Sequence, residues 1–162
     1  MSDKATTDLV DVYQTSGRIR SCGIVFAHFG GRRAFSGPIR TVKCHEDNGL
    51  IKQVLAEKGQ GAVLVADGGG SLRSALSGDR VAGLAVSNGW AGMIIRGAVR
   101  DVGVLRTLDI GILALGSTPW RSTVTTAGEI DVPLHFGDAV FQPGGWVYAD
   151  EDGLIVADGP LD

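Results

Sequence analysis

No apolar run approaches the roughly 18 positions that a membrane-crossing helix needs, which excludes a transmembrane span of that kind. The opening Met1-Ser2-Asp3-Lys4 lacks the basic-then-apolar pattern of a secretory leader, so a cytoplasmic location is expected. Positive charge is also short: 15 Lys and Arg against 18 Asp and Glu leave a net charge of −3. Proteins that bind nucleic acid by neutralising phosphates run basic, so direct nucleic-acid binding is not expected, nor is a membrane partner. Cysteine is scarce. Cys22 and Cys44 form no Cys-x-x-Cys and are expected as reduced thiols rather than a staple. His28, His45 and His135 are not spaced like a zinc ligand set. There is no Gly-x-Ser-x-Gly elbow and no P-loop Gly-Lys-Ser/Thr, which removes support for a serine hydrolase and for that class of nucleotide site.

Glycine is what the chain has in abundance, 25 of its 162 residues. The glycines are dispersed without a Gly-X-Y period, so they predict tight turns and close backbone approaches rather than collagen. The length suits one domain spanning residues 1–162. Apolar residues at 44% are enough for that domain to bury a core.

Periodicity predicts a short helix over Thr7–Gln14, a strand over Phe35–Cys44 and a helix over Asp47–Lys58 stopped by Gly59. Ala62–Ala66 is wholly apolar, as a buried parallel strand requires, and the glycine run Asp67–Ser71 follows it. A helix is expected over Val81–Asn88, a buried strand over Met93–Ile95 ended by a tight turn at Gly97, a short helix over Asp101–Leu108 and a third apolar strand over Ile110–Leu115. Strand, helix, strand, helix, strand is an α/β pattern with a parallel-sheet core. The last third reads as short strands, Ile130–Phe136, Val140-Phe141, Trp146–Tyr148 and Leu154–Ala157, separated by Gly and Pro.

Two segments carry chemistry. Arg100-Asp101 follows a core strand, at the edge where ligands bind in open α/β sheets. An arginine there offers a planar fork to a carboxylate, and the adjacent carboxylate offers a hard oxygen to Mg²⁺ or Mn²⁺. The same dipeptide also suits a surface ion pair and a helix N-cap. Gly78-Asp79-Arg80-Val81 opens the next helix, whose first amides can receive an anion, although Asp79 equally suits an N-cap. Gly68-Gly69-Gly70 departs from the dinucleotide Gly-x-Gly-x-x-Gly pattern; there the backbone passes close to another strand or to a ligand.

Twenty residues lie between Asp79 and the Arg100-Asp101 pair. With Phe29–Arg32, Thr41–Cys44, Glu46–Leu50, Asp67–Ser71, Gly97–Asp101, Leu108–Ile112 and Tyr148–Asp150, this order resembles the RraA-like superfamily, which includes the class II 4-hydroxy-4-methyl-2-oxoglutarate aldolases. The resemblance covers nearly the whole chain. It implies a swivelling β/β/α domain assembled as a homotrimer with sites at subunit interfaces. It further implies divalent-metal-dependent cleavage of 4-hydroxy-4-methyl-2-oxoglutarate to two pyruvates. Oxaloacetate decarboxylation follows as a side reaction through the same pyruvate enolate. By position, Gly78 to Val81 match the loop that holds the 2-keto acid carboxylate, Arg100 the arginine at the enolate oxygen, Asp101 the metal ligand and Asp79 an acid acting through water. The metal implied is Mg²⁺ or Mn²⁺. None of the lysines is singled out as a Schiff base.

Some family aldolases take a further acid from a C-terminal extension of the neighbouring subunit; a chain ending at Asp162 resembles the shorter, RraA-type branch. That branch includes regulators that bind and inhibit a ribonuclease E-type endonuclease, the alternative function for this chain. The best-known regulator has glutamine after the motif arginine, where this chain has Asp101. A menaquinone methyltransferase, a third activity attached to relatives, lacks a glycine fingerprint here.

Overall fold

The computed structural model describes residues 4–162, so Met1-Ser2-Asp3 lies outside the described residues. In chain order the elements are α1 (Thr6–Tyr13), β1 (Ile19–Ser21), β2 (Ala27–His28), β3 (Phe35–Lys43), α2 (Gly49–Leu55), β4 (Val63–Asp67), β5 (Ala75–Ser77) and α3 (Asp79–Ser87). They continue with β6 (Gly92–Val99), α4 (Val102–Leu105), β7 (Gly111–Ser117), β8 (Glu129–Ile130), β9 (Leu134–Phe136), β10 (Ala139–Phe141), β11 (Trp146–Asp150) and β12 (Gly153–Ala157).

Among the described residues ten strands share one mixed sheet, with the main order β1-β12-β11-β3-β4-β6-β7-β2. Its centre is parallel: β3 pairs with β4, β4 with β6 and β6 with β7. The flanks β11, β12, β1 and β2 pair antiparallel. β4 shows why the centre is buried on both faces. Leu64 and Ala66 join Leu50, Ile51, Val54, Val81, Ala82 and Ala85 of α2 and α3 on one side. Val63 and Val65 join Phe35, Phe136, Phe141 and Val147 on the other. A two-residue side-chain period thus serves a helical layer on one face and a β layer on the other, the β/β/α arrangement expected. No helix among the described residues is long and apolar enough to cross a membrane.

Three expectations are corrected. β6 does not end at Gly97 but runs to Val99. β5 and β7 flank Ala98 and Val99 and satisfy their backbone, and Gly97 marks the register shift where Leu76 packs close. The helix expected over Asp101–Leu108 is one turn, Val102–Leu105; Thr107 Oγ1 then donates to the Val104 carbonyl and competes with further helix. The helix expected over Asp47–Lys58 is Gly49–Leu55: Asp47 stands ahead of it and accepts the Gly49 N–H with Oδ1, and the chain leaves the helix through a tighter turn in which the Glu57 N–H donates to the Val54 carbonyl. β1, β2 and β5 are additional strands that periodicity did not reveal.

Glycine supplies one close approach in the core. The Phe35 ring lies across Gly92 and Gly111, and a Cβ at either would fall into the ring. Gly111→Ala is therefore expected to cost about 1–3 kcal/mol by chemical denaturation, as overpacking does. Gly83→Ala, in open space on α3, is expected to be neutral or to stabilise by up to about 1 kcal/mol. Equal stabilities for the two variants would contradict this packing.

Candidate functional site

Because the central strands are parallel, their C-terminal ends share one edge. Cys44 follows β3, Gly68 follows β4, Arg100 follows β6 and Thr118 follows β7. A cleft of about 390 Å³ opens there. All six residues singled out in the sequence, Gly78, Asp79, Arg80, Val81, Arg100 and Asp101, line it.

The junction between β6 and α3 is built closely. The Arg100 N–H donates to the Ser77 carbonyl at 2.9 Å, which locks the end of β6 to the end of β5. Asp101 adopts a left-handed backbone, φ 59° and ψ 40°, which aspartate tolerates better than most residues. That turn aims its carboxylate away from its own helix and at the start of α3, where Oδ2 accepts the Asp79 N–H at 3.1 Å. Asp79 Oδ1 accepts the Arg80 N–H at 2.8 Å. Two of the amides expected to face a substrate carboxylate are thus held by carboxylates of the chain itself. Glycine at 78 leaves room for this arrangement, since a Cβ would lie 2.5 Å from Asp101 Oδ2 and 3.1 Å from Arg100 Cγ and would push the Asp101 carboxylate aside. Arg100 Nη1 donates to the Pro119 carbonyl at 3.3 Å, and its Nε stands 4.0 Å from Asp101 Oδ2. Both side chains remain about a third exposed, 35% and 37%, and so accessible to a ligand.

The facing wall hangs on Asp47. Its carboxylate is buried and accepts four hydrogen bonds: from Thr123 Oγ1 at 2.6 Å, Thr125 Oγ1 at 2.7 Å, the Gly49 N–H at 2.9 Å and the Thr125 N–H at 3.2 Å. Burial pushes its pKa up, but these donors, the Thr123 hydroxyl foremost, outweigh burial and bring it down to about 2. Ser122 Oγ donates to the Ala75 carbonyl at 2.8 Å, and the Asn48 N–H to the Thr123 carbonyl at 3.0 Å. The segment 120–125 is thereby stitched between β5 and the β3–α2 junction, and it carries Arg121 to the cleft.

Asn48, Lys52 and Arg121 are lining residues that the sequence reading did not single out as a site. Asn48 lies within Glu46–Leu50, one of the segments that carry the family resemblance. Arg121's one signal was its place beyond the third parallel strand. The other sequence candidates lie elsewhere. His28 Nε2 bonds the Asp150 carbonyl at 2.8 Å and His45 faces Glu46 at 3.3 Å. Both thiols are free; burial foremost pushes Cys44 up to about 12, which makes it a poor nucleophile. The Gly68 and Gly70 amides both donate to the Arg96 carbonyl, so the glycine run packs on a neighbouring strand and leads into β5, not a helix. A larger cavity of about 880 Å³, lined by Trp90, Trp146 and Tyr148, opens beside Gly61 and Ala91 at the other end of the parallel strands. Size alone does not mark the chemistry; the convergent charges are in the smaller cleft.

For a metal, the cleft offers two carboxylates, Asp79 and Asp101. Among the described residues no three His, Cys, Asp or Glu side chains gather as a closed metal cage. Mg²⁺ is held typically by one or two carboxylates and completes its shell with water and substrate oxygens, so this donor set fits a hard cation of that kind.

A family model described as "RraA-like: Aldolase/RraA" matches residues 6–156. The crystal structure named S-adenosylmethionine:2-dimethylmenaquinone methyltransferase from Geobacillus kaustophilus HTA426 is similar at 44% identity and TM-score 0.94, covering 98% of this chain and 97% of that one. The RNA-processing inhibitor RraA of Thermus thermophilis is similar at 45% identity and TM-score 0.94, covering 99% and 96%. An unusual member of the RNase ES inhibitor RraA family from Streptomyces coelicolor is similar at 27% identity and TM-score 0.78, covering 96% and 80%.

The Asp47 knot generates a pH prediction. Its folded pKa lies below its ordinary 3.8, so its contribution to stability is full above that value and is lost as pH falls toward about 2. Asp47→Asn is expected to cost about 2 kcal/mol at pH 7, with the gap to wild type closing between about pH 4 and pH 2 in urea titrations. A gap that stays constant over that range would show that the charge carries none of it.

Proposed function

The chain belongs to the RraA-like family, and we propose that it is a divalent-metal-dependent lyase cleaving 4-hydroxy-4-methyl-2-oxoglutarate to two pyruvates, with oxaloacetate decarboxylase side activity. One observation carries this reading: Arg100, Asp101 and the start of α3 converge on one cleft at the carboxyl edge of the parallel strands.

Cleavage removes the proton of the C4 hydroxyl and breaks the C3–C4 bond. The electron pair moves onto the pyruvate half as an enolate, and C4 becomes the carbonyl of the second pyruvate. Oxaloacetate breaks its own C3–C4 bond, loses CO₂ and leaves the same enolate. The negative charge that develops on the enolate oxygen is what a site must stabilise. The Arg100 guanidinium, anchored to the Pro119 carbonyl, supplies a fixed positive charge there. The N-terminal end of α3 receives the keto acid carboxylate through its dipole and the amides of Gly78 and Val81, those of Asp79 and Arg80 being held by Asp101 and Asp79. Asp79 takes the hydroxyl proton through water. Asp101, with Asp79 beside it, would hold Mg²⁺ or Mn²⁺, and such a cation supplies Lewis-acid polarisation of the keto oxygen. A cytoplasmic homotrimer belongs to the same proposal.

The second reading is a regulator that binds and inhibits a ribonuclease E-type endonuclease. It is favoured by the 45% identity to a protein named an RNA-processing inhibitor. A methyltransferase has less support, since the Gly68–Gly70 amides that face Arg96 are already bonded.

Pyruvate release from both substrates, measured with Mg²⁺ and with EDTA, separates the readings. Metal-dependent turnover is expected, reduced at least about 100-fold in Arg100→Ala and in Asp101→Asn, as when a charge-stabilising group is lost. Inert wild type with metal present, together with inhibition of a ribonuclease E-type enzyme, would replace the lyase with the regulator.

A further inference from the structure

The helical layer over the sheet has a gap. α2 and α3 pack on β4 and β6, and α1 packs on β11 and β12. Between them the cavity of about 880 Å³ opens onto the starts of β3 and β11. Trp146 pairs with Pro38 there, and Tyr148 with Ser36. Alternate residues of a strand share a face, so these four side chains make one floor, and Trp90, in the turn from α3 to β6, stands beside it. The volume is that of a small-molecule site and the walls are aromatic, as such sites require.

The floor is polar in one sense only. Ser36 is 8% exposed and lines the cavity, yet its hydroxyl has no hydrogen-bond partner among the described residues. The Tyr148 oxygen accepts the Leu161 N–H at 2.6 Å, which leaves its own proton to give. The Trp146 indole can only donate, and no acceptor among the described residues takes its N–H. Donors left unpaired in a largely buried setting are costly, so this floor is suited to an occupant that brings acceptors. The side-chain charges at the rim balance: Lys4 and Arg32 stand against Asp109 and Asp162, and Arg32 is paired with Asp109 at 3.1 Å.

We propose that this cavity is a second binding site, for an uncharged, flat ring compound that carries a carbonyl oxygen. The rings of Trp90 and Trp146 supply apolar contact to the faces of such a molecule. Ser36, Trp146 and Tyr148 donate to its oxygen. The balanced rim gives no advantage to a charged ligand, which sets this site apart from the cleft at Arg100. The site lies at the opposite end of the parallel strands from that cleft and does not depend on the lyase reading.

The test is calorimetry on the full chain with two uncharged bicyclic probes of similar size: coumarin, which offers only acceptors, and indole, which offers only an N–H donor. Coumarin is expected to bind at least about fivefold more tightly, the factor that a hydrogen bond of ordinary strength gives. Ser36→Ala, and Trp146→Phe, which keeps an aromatic ring without the N–H, are each expected to lower that ratio at least about twofold. Arg100→Ala is expected to bind coumarin as the wild type does. No binding of coumarin, equal affinities for the two probes, or a ratio that neither substitution lowers would overturn the site. Loss of coumarin binding in Arg100→Ala would move the ligand to the other cleft and overturn it too. Sedimentation is expected to show the same mass with and without coumarin; assembled chains that coumarin drives apart would give this face to a second copy instead.

Discussion

The candidate site depends on one buried carboxylate. Asp47 stands where β3 hands over to α2, and its four donors include Thr123 and Thr125, 76 and 78 residues further on. A charge buried at 4% exposure survives only if its lone pairs are filled, and here hydroxyl and amide donors fill them. That requirement dictates the path of the chain after β7. It brings residues 120–125 back across the carboxyl edge of the sheet, and so makes a cleft out of what would otherwise be a row of open strand ends.

The opposite wall is arranged by a different economy of the same kind. The first amides of a helix need acceptors, and α3 finds one in Asp101, from the loop after the neighbouring strand. A left-handed Asp101 and a glycine at 78 leave room for that contact. The structural and chemical readings of Asp101 are therefore not rivals. The carboxylate that caps α3 is also the one facing the cleft beside Arg100, and the geometry that serves stability leaves it where the proposed lyase would need it.

The parallel centre was legible because buried strands are apolar throughout and the helices between them keep a helical period. Val63–Asp67 and Asp79–Ser87 fall within two residues of where the pattern puts them. Arg100 and Asp101 were legible for the same reason, as the residues beyond a core strand. Less was visible where tertiary contacts decide. β1, β2 and β5 have two or three residues each, too few to show a period. Gly97 looks like a stop but accommodates Leu76 within a continuing strand. Asn48 and Arg121 become cleft residues only because Asp47 reaches Thr123, and no local pattern encodes a contact over that distance.

The central claim is that Asp101 makes this cleft a metal-assisted keto acid site. Titration of the protein with Mn²⁺, followed by the loss of the free-ion paramagnetic resonance signal, tests it most directly. The account predicts one site per chain in wild type, weakened at least about tenfold by Asp101→Asn, since the loss of even an outer-shell partner weakens a metal site by about 10–100-fold. Binding of equal strength in wild type and Asp101→Asn would place the metal elsewhere and contradict the account.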